Sequence, residues 1–194
     1  MVICVGLNKT ATKTLQVFFK QNFGMNKTIH SPEKFSGGVW FNMNRNVDIL
    51  NRLKYDFYSD LFFSSTQRVG NYLKSQSFRS EVIKRLYEQY EDMKFIVNYR
   101  NLNDWLVSRE KHVLKNQNNE RYKKRNRDSL WLDVNYGLWK KEYEEHYNFC
   151  ERFFANKESL WLNVCDGDKP EKIFNFLGMP TLVNEFPKIN QSKI

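Results

Sequence analysis

Residues 1–24 have the sequence MVICVGLNKTATKTLQVFFKQNFG, which carries the strongest structural signal of the chain. VICV, residues 2–5, is a continuous apolar run rich in β-branched side chains, which predicts a buried strand of a parallel sheet. The loop GLNKTAT follows. The next segment, TKTLQVFFKQNF, places its apolar residues on one helical face before Gly24, a common helix end. These residues therefore predict a strand, a loop and a helix.

Apolar strand patterns and amphipathic helix patterns alternate along the rest of the chain. Such alternation predicts crossover connections, and hence one three-layer α/β domain over residues 1–194 with a central, mostly parallel sheet. Irregular structure is expected at 25–43 and in the polar stretch 115–128. The predicted strands are 55–63, 94–99 and 160–165, and the predicted helices are 46–54, 78–91, a helix that begins at Asn101, 130–155 and 168–177.

The composition narrows the class of protein. The 194 residues include 31 basic and 22 acidic side chains, and the net charge of +9 favours anionic partners such as a phosphorylated nucleotide. An apolar fraction of 41% is enough to fill a core, which excludes a mainly disordered chain. Three widely spaced cysteines support neither a disulfide framework nor a zinc site. Because no leader pattern and no run of about 20 apolar residues occurs, we expect a soluble, cytoplasmic protein.

The loop between the first strand and the first helix is a candidate phosphate site. Backbone N–H groups at a helix start lack intrahelical acceptors, and the helix dipole adds positive potential there. This loop also carries two cations, Lys9 and Lys13, and three hydroxyls, on Thr10, Thr12 and Thr14. The alternative is a threonine-capped helix start with incidental lysines.

The loop does not fit the P-loop of kinases and nucleotidases, whose motif is G-x-x-x-x-G-K-[ST]. Counted from Gly6, the positions for Gly and Lys hold Ala11 and Thr12, and the Lys-Thr pair follows one residue late. The strand KFIVNYR ends without an acidic residue that could bind magnesium, and Asp166 after LWLNVC equally predicts a turn. A small-molecule kinase therefore stays an alternative hypothesis, although the sequence lacks the usual metal ligand of such enzymes.

A second candidate phosphate site follows the strand KFIVNY. Arg100 stands at the carboxyl end of that strand, where ligands of open α/β sheets bind. Ser108 lies two helical turns further along, so a guanidinium and a hydroxyl at this spacing can hold another phosphate.

Together the two sites resemble those of sulfotransferases that use 3′-phosphoadenosine 5′-phosphosulfate (PAPS). GLNKTATKTL resembles their 5′-phosphosulfate loop, G-x-x-[KR]-[TS]-G-T-[TS]-[ST]-L, and YRNLNDWLVSREKH resembles their 3′-phosphate motif, R-x-P-x-x-W-x-x-S. The later stretches KKEYEEHYNFCERFF, LWLNVCDGDKPEKIFNFLGMP and EFPKIN are also similar to the family. Two departures stand out, because Ala11 replaces a loop glycine and Asn101-Leu102 replaces an acidic-proline pair.

The resemblance implies a P-loop-like fold and transfer of a sulfuryl group from PAPS to a hydroxyl or amine, possible acceptors including carbohydrate, with no metal. The second product is adenosine 3′,5′-bisphosphate. Lys9 matches the catalytic lysine that stabilises the leaving phosphate. Arg100 and Ser108 match the 3′-phosphate ligands. The residues expected at the 5′-phosphosulfate are Lys9, Thr10, Ala11, Thr12, Lys13 and Thr14.

The resemblance places the general base less firmly. Asp60, in YDFYSDLFF, is the first candidate, His30 is the second and Glu33 is the third. Each of them is otherwise a turn or capping residue. His112 and His146 are interpreted as structural or surface residues.

The acceptor pocket has candidate aromatic walls in Phe35, Trp40 and Phe41, which core packing would equally explain. The partners expected are thus a nucleotide cosubstrate and an acceptor, with no membrane span. Besides the small-molecule kinase, two alternatives to an active sulfotransferase remain. One is an inactive relative that binds nucleotide without turnover. The other is a basic nucleic-acid module, for which the chain shows no motif.

Overall fold

The sheet is parallel throughout. The computed structural model describes residues 1–30, 38–39, 41–45, 47–51, 55–59, 76–125 and 134–189. Within this part of the chain, five strands pair in the order β2-β3-β1-β4-β5. The strands are β1 (Val2–Cys4), β2 (Thr28–Ile29), β3 (Phe57–Tyr58), β4 (Lys94–Asn98) and β5 (Leu160–Leu162), and the helices are α1 (Thr12–Asn22), α2 (Gln76–Gln89), α3 (Leu102–Asn116), α4 (Glu120–Arg125), α5 (Tyr136–Phe154) and α6 (Glu171–Phe176).

Both faces of the sheet are covered by helices. Successive side chains of β1 point to opposite faces, so Val2 and Cys4 join one buried cluster while Ile3 joins another. Helices α1 and α6 contribute to the first cluster, and helices α2, α3 and α5 contribute to the second. This arrangement makes three layers and confirms the predicted α/β class with a central parallel sheet.

The winding of the chain reverses at β1. From this strand the chain builds β2 and β3 on one side, and then β4 and β5 on the other. The helix that follows β1 packs on one face of the sheet, whereas the helix that follows β4 packs on the opposite face. A crevice therefore opens at the carboxyl ends of β1 and β4, which is where open α/β sheets bind their ligands.

A buried ionic cluster joins the three helices of one face. The Glu142 carboxylate of α5 contacts the Arg79 guanidinium of α2 at 2.9 Å and the Arg109 guanidinium of α3 at 2.5 Å. Arg109 is also stacked between the rings of Trp105 and Trp139, at 5.0 and 4.7 Å. Burial alone would raise the pKa of Glu142, but the two arginines bring it below its usual value. The cluster fixes α3, and with it the edge of the crevice.

Several helix and strand ends differ from the sequence predictions because side chains cap the backbone. The predicted strand 160–165 ends at Leu162, since the Asp168 carboxylate accepts the Asn163 N–H at 2.7 Å and a 3₁₀ turn, Val164–Asp166, follows. The long helix predicted from residue 130 begins at Tyr136, where the Asn135 side chain accepts the Leu138 N–H at 3.0 Å. Residues 130–133 lie outside the described residues.

Three other predictions of local structure were wrong in part. The stretch 115–128, expected to be irregular, contains the end of α3 and the short α4, which begins where Asn119 accepts the Tyr122 N–H at 3.1 Å. The helix predicted over 46–54 is replaced by turns at 47–51, the described part of that segment. The segment 25–43, also expected to be irregular, contains the strand β2. This strand forms through its hydrogen bonds to β3, which the sequence of the segment does not predict.

Candidate functional site

The two predicted phosphate sites meet at the crevice. The loop after β1, residues 6–11, and Arg100 after β4 lie side by side, because β1 and β4 are paired and parallel. His30 follows β2 and Ser59 follows β3 at the same edge of the sheet. The topology therefore brings together the described candidates that the sequence placed 70 or more residues apart.

The loop reaches α1 through two left-handed residues. Lys9 has a φ of 68° and Ala11 a φ of 63°, a conformation that favours glycine. The loop glycine of the resembled motif is thus replaced at a position that does adopt positive φ. Because α1 begins at Thr12 with no side-chain cap from Ala11, its first N–H groups lack intrahelical acceptors and present a site for an anion. Thr12 and Thr14 are buried and Lys13 is exposed.

Asn98, at the end of β4, holds this loop. Its side-chain oxygen accepts the Gly6 N–H at 3.0 Å, and its amide nitrogen donates to the carbonyl and hydroxyl of Thr10 at 3.2 and 2.6 Å. The Thr10 hydroxyl in turn donates to the Leu7 carbonyl. The close approach also requires glycine at position 6, because a Cβ there would lie 1.6 Å from the Asn98 carbonyl oxygen.

The Thr10 hydroxyl therefore forms its hydrogen bonds inside the loop. The backbone N–H of Thr10 stays a predicted ligand of the 5′-phosphosulfate. An amide at position 98 donates and accepts at once, as the loop requires, whereas a carboxylate could only accept.

Three further side chains brace the loop from the helices behind it. The Tyr147 hydroxyl donates to the Asn98 carbonyl at 3.0 Å and accepts the Leu7 N–H at 3.3 Å. The Trp105 indole donates to the Asn8 carbonyl at 2.8 Å, and His146 Nε2 donates to the Val5 carbonyl at 2.8 Å.

Burial lowers the pKa of His146 to about 3, so this imidazole is neutral and its interpretation as a structural residue fits. Together with the bonds from Asn98, these contacts hold the backbone of the loop from Val5 to Thr10.

Lys9 connects the loop to α3. Its ammonium donates to His112 Nδ1 at 2.8 Å. Burial, together with nearby Lys9 and Lys115, lowers the pKa of His112 to about 4, which keeps the imidazole neutral and able to accept this bond. Ser108 lies one helical turn before His112 on the same face of α3. The Lys9 contact therefore draws the loop and the Ser108 face of α3 together.

Arg100 presents a buried donor at the crevice. Its Nε atom is buried, and no atom of the described residues accepts a hydrogen bond from it. The Tyr143 hydroxyl donates to the Arg100 carbonyl at 2.6 Å and so fixes the backbone there. A guanidinium N–H in such a position fits an oxygen of a phosphate, which forms charge-assisted hydrogen bonds with arginine.

The candidates for the general base are only partly described. The His30 imidazole is joined to the Ser59 hydroxyl by a hydrogen bond of 3.0 Å between Nδ1 and Oγ, which ties the ends of β2 and β3 together. Asp60 and Glu33 lie outside the described residues. The aromatic residues proposed for the acceptor pocket include Phe35 and Trp40, which also lie outside. Phe41 is exposed and stacks on the Arg45 guanidinium at 4.0 Å.

Sequence reasoning missed the residues that hold the loop. Asn98 has a signal, since it is an amide in the apolar run KFIVNY, but this pattern alone does not predict which groups the amide binds. His112 follows Ser108 by four residues, which places both on one helix face, so this spacing is a signal that an interpretation as a structural or surface residue leaves unused. Trp105 occupies the tryptophan position of the resembled 3′-phosphate motif. Neither Trp105 nor Tyr147 carries a local signal for its hydrogen bond to the loop, because each reaches a backbone group more than 90 residues away.

Comparison with known protein families identifies the class of this protein. Residues 1–194, the whole chain, match the model of a family described as a sulfotransferase domain, and the chain belongs to this family. The five-stranded parallel sheet flanked by helices agrees with the P-loop-like fold that the resemblance implied. No curated protein matches the chain.

The described residues provide neither a membrane-spanning helix nor a cluster of metal ligands. None of their helices is both long and apolar enough to cross a membrane. Nor do they contain a group of three or more histidine, cysteine, aspartate or glutamate side chains placed to hold a metal ion.

Proposed function

We propose that this protein transfers a sulfuryl group from PAPS to a hydroxyl or amine of an acceptor. One observation carries the proposal: the Lys9–His112 hydrogen bond joins the loop after β1 to the helix after β4. Arg100, just before that helix, adds a buried donor from which no atom of the described residues accepts a hydrogen bond. Two anion sites on adjacent strands suit a nucleotide with phosphates at both its 5′ and 3′ positions. Family membership supports the same class of reaction.

The residues of this chain would share the work as follows. PAPS supplies, when bound, a sulfuryl group activated by its bond to a phosphate. The backbone N–H groups of residues 10–14 and the hydroxyls of Thr12 and Thr14 would hold the 5′ end, with charge added by Lys13. Arg100 and Ser108 would hold the 3′-phosphate and so distinguish this nucleotide from a plain adenylate.

Catalysis would rest on positioning and on neutralising charge. The Lys9 ammonium would stabilise the negative charge that develops on the leaving phosphate oxygen. A base must take the proton of the acceptor, and Asp60 and His30 are the proposed groups. His30 is attached to the ends of two strands through Ser59, so its ring would stand at a fixed position on the β2 side of the crevice.

Titration calorimetry with adenosine 3′,5′-bisphosphate, AMP and ATP, without metal, tests the proposal. We expect the bisphosphate to bind most tightly. Arg100→Ala should weaken it by about 10- to 100-fold, the value of a charge-assisted hydrogen bond, and leave AMP nearly unchanged. Arg85→Ala is the matched control, because Arg85 pairs with Glu81 on the surface of α2.

Turnover of labelled PAPS separates an enzyme from an inactive relative. Lys9→Ala should abolish sulfuryl transfer and weaken bisphosphate binding only modestly, while Lys20→Ala, at the exposed end of α1, should change neither. Tighter binding of ATP with magnesium would favour a kinase. Absence of binding by all three nucleotides would refute the proposed function.

A further inference from the structure

His112 lies beyond the motifs that identify the site, yet it touches the residue proposed to do the chemistry. We propose that His112 is a positioning residue, whose neutral imidazole accepts a hydrogen bond from Lys9 and holds that ammonium at the mouth of the loop. The inference rests on the proposed function, because it concerns the cation assigned to the leaving group.

The contact is specific in its atoms. Lys9 Nζ lies 2.8 Å from His112 Nδ1, and the two residues are 103 positions apart in the chain. The backbone of Lys9 is held in the left-handed region, with a φ of 68°, which sets the direction in which its side chain leaves the loop. An acceptor from α3 then fixes the far end of a side chain that otherwise has four rotatable bonds.

The surroundings of His112 keep it an acceptor. It faces Lys9 from the loop, Lys115 from its own helix and the Tyr122 ring of α4, whose centroid lies 5.5 Å away. Partial burial and two cations oppose a positive charge on the imidazole. A neutral ring that accepts at Nδ1 carries its proton on Nε2, so the geometry defines one tautomer.

Holding Lys9 affects rate more than affinity. An ammonium has three donors, so a bond to His112 is compatible with further bonds to an anion. Ordering a free lysine side chain costs entropy each time the site is assembled, and His112 removes much of that cost in advance. Loss of the acceptor should therefore lower the rate of sulfuryl transfer by about 10- to 100-fold, while nucleotide binding changes much less.

Two substitutions of His112 separate the effect of its hydrogen-bond acceptor from the effect of its ring packing. His112→Asn keeps an acceptor near the position of Nδ1, because an asparagine oxygen can overlay that atom. His112→Phe keeps a ring against Tyr122 but has no acceptor. We expect His112→Asn to keep its rate within about 5-fold of the wild type, and His112→Phe to lose about 10- to 100-fold. The rate is measured as release of labelled sulfate from PAPS to water, which needs no acceptor.

The Lys9–His112 contact can also be tested by a measurement that does not depend on enzyme activity. Nitrogen-15 NMR of the histidine rings should show His112 as the Nε2–H tautomer in the intact protein, and Lys9→Met should change the Nδ1 signal. Protonated Nδ1 in the wild type would overturn the inference, and so would a wild-type rate in His112→Phe. Thermal unfolding of both His112 variants checks that they fold.

The two proposals fail in different ways. If the wild type binds no adenosine 3′,5′-bisphosphate, the proposed function is refuted, and the tautomer and its response to Lys9→Met still decide whether His112 orients Lys9. If the bisphosphate binds and PAPS is turned over, equal rates in the wild type and His112→Phe refute the positioning role alone.

Discussion

At the scale of single residues, the loop stores strain at Ala11. A residue with a Cβ pays roughly 1 to 2 kcal/mol to adopt the left-handed conformation, and Ala11 has a φ of 63°. The structure accommodates this cost because Asn98 from β4, Tyr147 from α5 and Trp105 from α3 bind the loop backbone. Alanine is therefore compatible with the left-handed conformation at this position of the loop, although glycine would adopt it more easily.

Ala11→Gly should stabilise the protein. Glycine relieves the left-handed strain but adds entropy to the unfolded chain, so we expect the free energy of unfolding to rise by up to about 1 kcal/mol. Urea unfolding measures the change.

The control is Ala155→Gly, since Ala155 has a right-handed φ of −52°. The same substitution there should destabilise the protein by about 0.5 to 1 kcal/mol. A loss of stability in both variants would show that Ala11 is not strained.

At the scale of elements, α5 is the support of the loop. It carries Glu142 into the ionic cluster, Tyr143 to the Arg100 carbonyl, and His146 and Tyr147 to the loop backbone. These residues follow one face of the helix, at spacings of three and four. A helix that begins 28 residues after Ser108, the last residue of the second motif, thus supports the backbone of both segments that are predicted to bind phosphate.

Two histidines, the partly buried His112 on α3 and the buried His146 on α5, predict how stability depends on pH. In the folded protein the pKa of His146 is about 3 and that of His112 about 4, both below the 6.5 of a free histidine. Between about pH 6.5 and pH 4 the unfolded chain therefore binds more protons than the folded one. The contribution of these two histidines to stability is full above pH 6.5 and falls with decreasing pH. The fall is up to about 1.4 kcal/mol per pH unit for the buried His146 and smaller for His112, whose partial exposure allows solvent to screen its surroundings.

His146→Gln isolates one of these two contributions. A glutamine nitrogen can replace Nε2 as donor to the Val5 carbonyl but does not titrate. Urea unfolding between pH 8 and pH 5 should show a smaller slope in the variant than in the wild type. Identical slopes would contradict a neutral His146 in the folded state.

At the scale of the whole molecule, the sequence predicts the layers better than it predicts the contacts of the site. The run VICV predicts β1 because burial on both faces favours apolar residues at every position. Strands as short as Thr28–Ile29 cannot be recognised in the same way, because they exist only through pairing with β3.

Some residues of the candidate site could likewise be predicted from the sequence, whereas their contacts could not. Lys9 and Arg100 could be found from motifs, since each stands next to a strand or helix end that local pattern predicts. The Lys9–His112 and Asn98–Thr10 bonds could not, because they join residues 103 and 88 positions apart and depend on how the helices pack.

The net charge of the whole molecule attracts anions, and its effect on nucleotide binding can be measured separately from the effect of a charge at the candidate site. The chain carries a charge of +9, and removing any one lysine lowers it equally. Lys13 lies at the exposed start of α1, whereas Lys94 begins β4 at the opposite edge of the sheet. The five residues of β4 span about 13 Å, so Lys94 lies further from the carboxyl end of the sheet than the Debye length of about 8 Å at 0.15 M salt.

Lys13→Gln should therefore weaken binding of adenosine 3′,5′-bisphosphate by about 3- to 10-fold at this salt, because an exposed charge near an anion is worth about 1 kcal/mol. Lys94→Gln should change it by less than about 2-fold, although it also breaks the surface pair with Glu158. Calorimetric titrations at 0.05 and 0.5 M salt would show the Lys13 effect shrinking as salt rises. Equal losses in both variants would mean that the overall charge of the molecule, and not the helix start, attracts the nucleotide.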